Sequence, residues 1–392
     1  MAAAGCARRT VAGGTLMKTT ALVLILLASS RGSLAQQPEV VATHLVVPWG
    51  LAFTPDGRIF VTERHGRVRV IDQDGLQPTP EIDLTSDVFE TGEGGLMGID
   101  VDPDFLTNGY FYVMYTHRIP PSAAVNRVQR LVETSPGVAV QDQVLLDGIL
   151  GASVHDGGRI KVGPDQKLWI TTGTARCAAG AQDLTALDGK ILRMNLDGTA
   201  PDDNPFPDFP LIYSYGHRNP QGIAWDSSGQ LYATEHGPTG DCGWPGSSYD
   251  EVNIIYAGGN YGWPYCRGAC VPPDPRFIDP VRYWRPASEG GEGTAAPAGA
   301  AFHPNGWLYF GTLGATFTPP PLYARHVHGI LFDMPGGTEI VDEAILFYQQ
   351  FGRIRDVVMD PAGEYLYFST SNRDGRSETV DPDDDRILRV RF

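Results

Sequence analysis

The sequence predicts an all-β fold, and within that class a six-bladed β-propeller. Three observations carry the prediction. A strand–turn–strand segment recurs six times, at 50–63, 98–116, 158–173, 222–237, 299–312 and 355–370, with copies roughly 50 to 75 residues apart. The 392 residues include 47 Gly and 31 Pro, the composition of many tight turns and short strands. No stretch of helical period stands out after the N-terminal segment.

Each copy pairs a short apolar strand with a turn of Pro, Asp, Ser, Asn or Gly, residues that supply fixed or positive φ. A second strand follows and carries an aromatic residue: Phe60, Tyr112, Trp169, Tyr232, Tyr309 and Tyr367 in turn. One such hairpin cannot bury its apolar face alone, whereas six set radially can pack blade on blade. A β-sandwich with chance likeness among its strands is the competing architecture. Outer strands are expected at 66–72, 190–196, 329–334 and 386–392. The last resembles the first, so the C-terminal strand is expected to join the blade built from the N-terminal part and close the ring. Long segments at 118–127, 174–188, 239–250 and 264–297 are expected to gather on one face and build the site.

Residues 1–35 read as a secretory signal, with Arg8, Arg9 and Lys18 ahead of an apolar run from Ala21 to Ala28 and Ser33-Leu34-Ala35 as the cleavage signal. That run is too short to span a membrane. The domain is therefore expected at 36–392, secreted or periplasmic. Loss of Arg8, Arg9, Lys18 and Arg31, with no acid lost, takes the net charge from −16 to −20. Such a chain repels nucleic acid and anionic membranes and suits a neutral substrate or cations. Four cysteines remain after the signal, Cys177, Cys242, Cys266 and Cys270, an even number for an oxidising compartment. Cys266 and Cys270 are close enough to pair, which would leave Cys177 with Cys242.

Candidate chemistry clusters before the repeat strands. His155, flanked by small residues, precedes the third copy, and imidazole suits proton abstraction near neutral pH. Arg218-Asn219 precedes the fourth copy, and Arg353 and Arg355 flank Ile354 at the sixth. Residues two apart in extended chain share a face. Converging guanidinium groups bind ligands with several carboxylates. Gly237-Pro238 ends the fourth copy, where two backbone carbonyls could turn toward one hard cation, with Glu251 and the Tyr261 carbonyl as further oxygen donors. If every blade starts at one rim of the channel, His155, Arg218, Asn219, Arg353 and Arg355 meet at that rim from three blades.

In family order, the motifs PWGLAF (48–53), GEGGLMGIDVDPDF (92–105), HDGGRIKVGPD (155–165), GHRNPQGIAW (216–225), EHGP (235–238), DEVNII (250–255), NYGWP (260–264), TAAPAG (294–299) and GRIRDV (352–357) span nearly the whole mature chain. By them the chain resembles the soluble dehydrogenases of glucose and other aldoses that depend on pyrroloquinoline quinone (PQQ), the glucose/sorbosone dehydrogenase family. The resemblance implies an oxidation of an aldose or related alcohol at the anomeric carbon to the lactone. His155 would be the general base, with hydride passing to the quinone C5. It implies Arg218 and Asn219 beside the quinone, Arg353 and Arg355 on its carboxylates, and Glu93 and Thr294 as further contacts. It implies a Ca2+ on the Gly237 and Pro238 carbonyls and a second one at Glu251 and Tyr261. Partners implied are a small sugar and an external electron acceptor (quinone, dye or cytochrome), with the protein a monomer or homodimer. Four departures are visible: Glu93 stands where the glucose enzyme has glutamine, 311–316 lacks the cofactor lysine of some members, Val154 replaces an acid before the histidine, and Ala287–Gly293 is inserted before Thr294. A calcium-dependent lactonase and a non-catalytic secreted binding propeller are the alternatives.

Overall fold

The computed structural model describes residues 37–119, 123–176, 178–240, 243, 248–314, 324–377 and 379–392. The segment 1–35, Cys177 and Cys242 lie outside these residues. Six antiparallel sheets follow one another along the chain. Blade one runs Pro48–Phe53, Ile59–Glu63, Arg67–Asp72 and Gly75–Leu76, with Ile82–Asp83 also on its third strand. Blade two is Leu96–Val101, Tyr110–Ile119, Ala123–Ser135 and Val138–Leu150. Blade three is Gly157–Val162, Leu168–Thr172, Lys190–Met194 and Ile212–Tyr215, and blade four Pro220–Trp225, Leu231–Glu235, Asp250–Ile255 and Arg282–Trp284. Blade five is Pro297–Phe302, Trp307–Thr312, Val327–Phe332 and Ile340–Leu346. Blade six joins Ile354–Met359, Tyr365–Thr370 and Ile387–Arg391 to the N-terminal strand Glu39–Ala42. The first strands of successive blades pack on one another around the ring, blade six meeting blade one. The expected six-bladed β-propeller is the observed fold.

The aromatic residue of each second strand explains the spacing of the blades. Phe60 of blade one meets Phe111 of blade two at 5.1 Å. Tyr112 shares a buried cluster with Ile160 and Leu168 of blade three. Trp169 meets Trp225 of blade four at 5.7 Å, and Tyr232 meets Phe302 of blade five at 5.0 Å. Tyr309 stacks on Phe392, just past the third strand of blade six, at 5.0 Å. Tyr367 closes the circuit on Phe53 of blade one at 5.0 Å. Each ring therefore buries its large apolar surface against the next blade, where neither blade alone could cover it. The core is accordingly a set of inter-blade clusters, not one central mass.

All six first strands share a second device. Each slips register against its neighbour within its first residues: Pro48/Gly50, Leu96/Ile99, Gly157/Ile160, Pro220/Gly222, Pro297/Ala300 and Ile354/Asp356. Such bulges bend the strand and re-aim its side chains. They lie at one rim of the channel, where the candidate residues gather.

Two expectations need correction. The ring is closed by the N-terminal strand completing the last blade, where Glu39 and Val40 oppose Arg389 and Leu388. The C-terminal strand thus stays in the sixth blade, because its hydrogen-bonding edge toward Tyr365–Thr370 is set by sequence proximity. Segment 118–127 is not an irregular insertion. Its described residues extend two long strands of blade two, paired from Tyr110↔Val132 to Ile119↔Ala123. The disulfide Cys266–Cys270 is formed, with Cα atoms 5.2 Å apart. Among the described residues no helix is long and apolar enough to cross a membrane.

Candidate active site

The bulged rim opens into a cleft of about 500 Å³ lined by Glu93, His155, Arg218, Gly237, Thr294, Arg353 and Arg355 among others. Six of the seven residues expected at the cofactor thus line one cavity. The seventh, Asn219, is fully buried behind it.

His155 enters from the link between blades two and three with φ of 62°, in the left-handed region. Its carbonyl accepts the Ala175 N–H at 2.8 Å and its N–H donates to Glu93 Oε2 at 3.1 Å. Gly173 permits this approach, since a Cβ there would lie 2.0 Å from the His155 carbonyl oxygen. Arg218 Nη2 stands 2.9 Å from His155 Nε2. A guanidinium only donates, so Nε2 accepts and carries the lone pair. Arg218 is itself held by the His236 carbonyl at 3.0 Å and Thr239 Oγ1 at 3.1 Å, and its backbone N–H donates to the Glu235 carboxylate.

Asn219 works from below. Its Oδ1 accepts the Gly157 N–H and a Gln221 amide proton, both at 3.0 Å. Gln221 Oε1 in turn faces Arg355 Nη1 at 3.3 Å. The third and fourth blades of the rim are thereby tied to the sixth. Arg353 donates to Asp374 Oδ2 and the Leu313 carbonyl, each at 2.9 Å, and to Gly314 at 3.0 Å. Arg355 lies 3.9 Å from the same Asp374 oxygen and 5.8 Å over the Trp49 ring. Burial pulls Arg355 down to about 9, with Asp374 opposing, and its Nε has no hydrogen-bond partner among the described residues. A buried donor without an acceptor is costly and is relieved by an anionic ligand. Thr294 directs its hydroxyl to Asp250 Oδ2 at 2.6 Å.

Arg176, His236 and Arg376 also line the cleft, and the sequence reading missed them. They follow second strands, Leu168–Thr172, Leu231–Glu235 and Tyr365–Thr370. In an antiparallel hairpin the end of the second strand lies beside the start of the first. That rule, applied to every copy of the repeat, finds them. Five arginines therefore face the cleft against the acids Glu93 and Asp250, on a chain of net charge −16. Burial opposes the charge of Glu93, yet Arg376, His236 and His155 hold its carboxyl down at about 2. Burial drives His236 down to about 4, so it is neutral at pH 7.

The expected metal residues divide between two cavities. Gly237 borders both the cleft and a void of about 10 Å³ lined by Pro238, Glu235, Glu251 and Tyr261. That volume is the size of a single water or ion. Glu235 and Glu251 stand directly opposite each other on paired strands. Like charges so placed repel, and burial, then Glu235, push Glu251 up to about 8. A hard cation suits that pair of carboxylates and the carbonyls beside them. Gly237 is fixed by contact, because a Cβ there would come within 2.4 Å of the Ser248 and Tyr249 carbonyl oxygens. Among the described residues no group of three or more His, Cys, Asp or Glu gathers as a metal centre.

A family model described as Glucose / Sorbosone dehydrogenase matches residues 45–381. Aldose sugar dehydrogenase YliI of Escherichia coli is 30% identical over 371 residues, covering 88% of this chain and 92% of that protein. An uncharacterized Synechocystis protein is 31% identical over 381 residues, covering 87% and 86%. The solved PQQ-bound aldose sugar dehydrogenase of Streptomyces coelicolor matches with a TM-score of 0.76 at 34% identity, covering 90% of this chain and 96% of that one. With its repeat, its rim of arginines and these matches in agreement, the chain belongs to the glucose / sorbosone dehydrogenase family.

Proposed function

We propose that this protein is a secreted or periplasmic, PQQ-dependent dehydrogenase that oxidises an aldose at the anomeric carbon to the lactone. The observation that carries the reading is the placement of His155 Nε2, 2.9 Å from Arg218, in a cleft that Arg353 and Arg355 also line. When bound, the quinone would supply the hydride acceptor at C5, chemistry that no side chain here possesses.

The chain's own residues do the rest. His155 Nε2 would take the proton of the sugar hydroxyl once Arg218, whose Nη2 occupies that lone pair at 2.9 Å, turns its donor to the bound ligand. Arg218 also steadies negative charge that develops beside it. Arg353 and Arg355 would bind carboxylates of the cofactor, with Asn219 steadying Arg355 through Gln221. The Gly237 and Pro238 carbonyls would hold one calcium where the cleft meets the small void, and Glu251 with the Tyr261 carbonyl a second within that void. The segment 1–35 would direct export. The substrate would be a small neutral sugar, and an external acceptor would take up the electrons.

The test uses the purified protein with calcium and quinone, added separately and together. Equilibrium quinone binding and dye reduction with a panel of aldoses are measured. Binding with sugar-dependent dye reduction is expected. Failure to bind the quinone at any calcium concentration overturns the reading, and lactone hydrolysis without quinone would replace it.

A further inference from the structure

The cleft contains a contradiction that the family likeness does not resolve. Glu93 is an acid on a surface lined by arginines, where a multiply carboxylated ligand is expected. An unpaired carboxylate there would repel such a ligand. The structure pairs it: Arg376 Nη1 lies 2.7 Å from Glu93 Oε1, across 283 residues of sequence. The other oxygen, Oε2, accepts the backbone N–H of His155 at 3.1 Å. Both oxygens are thus engaged, one by a guanidinium and one by the segment that carries the base.

The far end of the pair is also anchored. The Arg376 backbone N–H donates to Asp374 Oδ1 at 2.9 Å. Asp374 Oδ2 takes the Arg353 Nε proton at 2.9 Å and lies 3.9 Å from Arg355. One turn at 372–376 therefore joins the His155 segment to both arginines of blade six. The side chains of Arg376 and Glu93 are 34% and 22% exposed, so the pair is part of the cleft surface and not of the core.

We infer that Glu93 and Arg376 form a single charge-balanced binding unit, in which Arg376 lets an acid occupy the carboxylate-binding surface and holds the His155 segment in place. The inference rests on the function proposed above for the identity of the ligand. It assigns Arg376 as a binding and positioning residue and makes the effect of losing it depend on Glu93. A guanidinium acting alone would contribute the same with or without the acid; a unit would not.

The experiment is a double-mutant cycle with Arg376→Met, Glu93→Gln and the two combined, each checked for an unchanged melting curve. Two probes are titrated at equilibrium: PQQ with calcium, and benzenetricarboxylate, an aromatic tricarboxylate without redox chemistry. Arg376→Met is expected to weaken both probes on the order of tenfold, since it leaves a carboxylate facing them. Glu93→Gln combined with Arg376→Met is expected to bind within roughly twofold of Glu93→Gln alone. Additive losses overturn the inference, as does a loss in Glu93→Gln equal to that in Arg376→Met. If the wild type binds benzenetricarboxylate with the cycle intact but does not bind the quinone, the quinone reading fails and the inference stands. If it binds neither probe, both fall.

Discussion

His155 adopts a backbone conformation that side-chain-bearing residues rarely take, with φ of 62°. Such strain costs on the order of 1–3 kcal/mol and persists only where neighbours hold it. Here the holders are specific: Glu93 at its N–H and Ala175 at its carbonyl. The imidazole is thereby presented to the cleft with Arg218 fixing which nitrogen accepts. His155→Gln is expected to lower kcat by about 10²- to 10⁴-fold. Quinone affinity should stay within a few fold, because Arg353 and Arg355, the proposed carboxylate ligands, are untouched. Stopped-flow reduction beside a binding titration separates the two, and an unchanged kcat would move the base elsewhere. The sequence showed His155, Arg218, Asn219, Arg353 and Arg355 through their common position before first strands. It left out the partners that balance them: Arg376 reaches Glu93 across 283 residues, and Asp374 meets Arg353 from the turn after the second strand of the same blade, pairings that no short sequence spacing marks.

Among the elements, the hairpins were legible and their extensions were not. Alternating apolar residues around turn signals mark each pair of inner strands, and all six form where the repeat placed them. The long arm of blade two is the exception: segment 118–127 is expected as an insertion, because its exposed and half-buried residues break the apolar alternation that marks a strand. That arm covers an unusual acid. Ala139 donates its N–H to the Glu81 carbonyl at 2.9 Å, and the Glu81 side chain is buried with neither oxygen hydrogen-bonded among the described residues. Burial, then the Glu133 charge, raise it from 4.5 to about 8. Between those values the folded protein keeps a proton that the unfolded chain has released, so stability falls as pH rises. Glu81→Gln removes the titrating group. Its urea midpoint should exceed that of wild type at pH 8 and approach it near pH 4.5; an unchanged gap between the two pH values would refute the assignment.

At the scale of the whole molecule, the ring has a seam. The first described strand, Glu39–Ala42, lies against the last, Ile387–Arg391, and Arg389 also reaches Glu39 at 2.8 Å. The repeat announced a closed ring; it could not announce which terminus crosses over, since both end strands are short and apolar. Deleting 37–42 bares the edge of Ile387–Arg391, and an open edge pairs with other chains. A lower melting temperature with concentration-dependent light scattering is expected; a monomer melting like wild type would show that the seam contributes little. The seam also orders events in time. Arginines 353 and 355 come from the last blade, while Glu93 and His155 lie at the starts of the second and third. No fragment emerging from a ribosome or a secretion pore holds the complete pocket. A ligand that touches both sides of the pocket must therefore wait until blade six has been made and has paired with Glu39–Ala42.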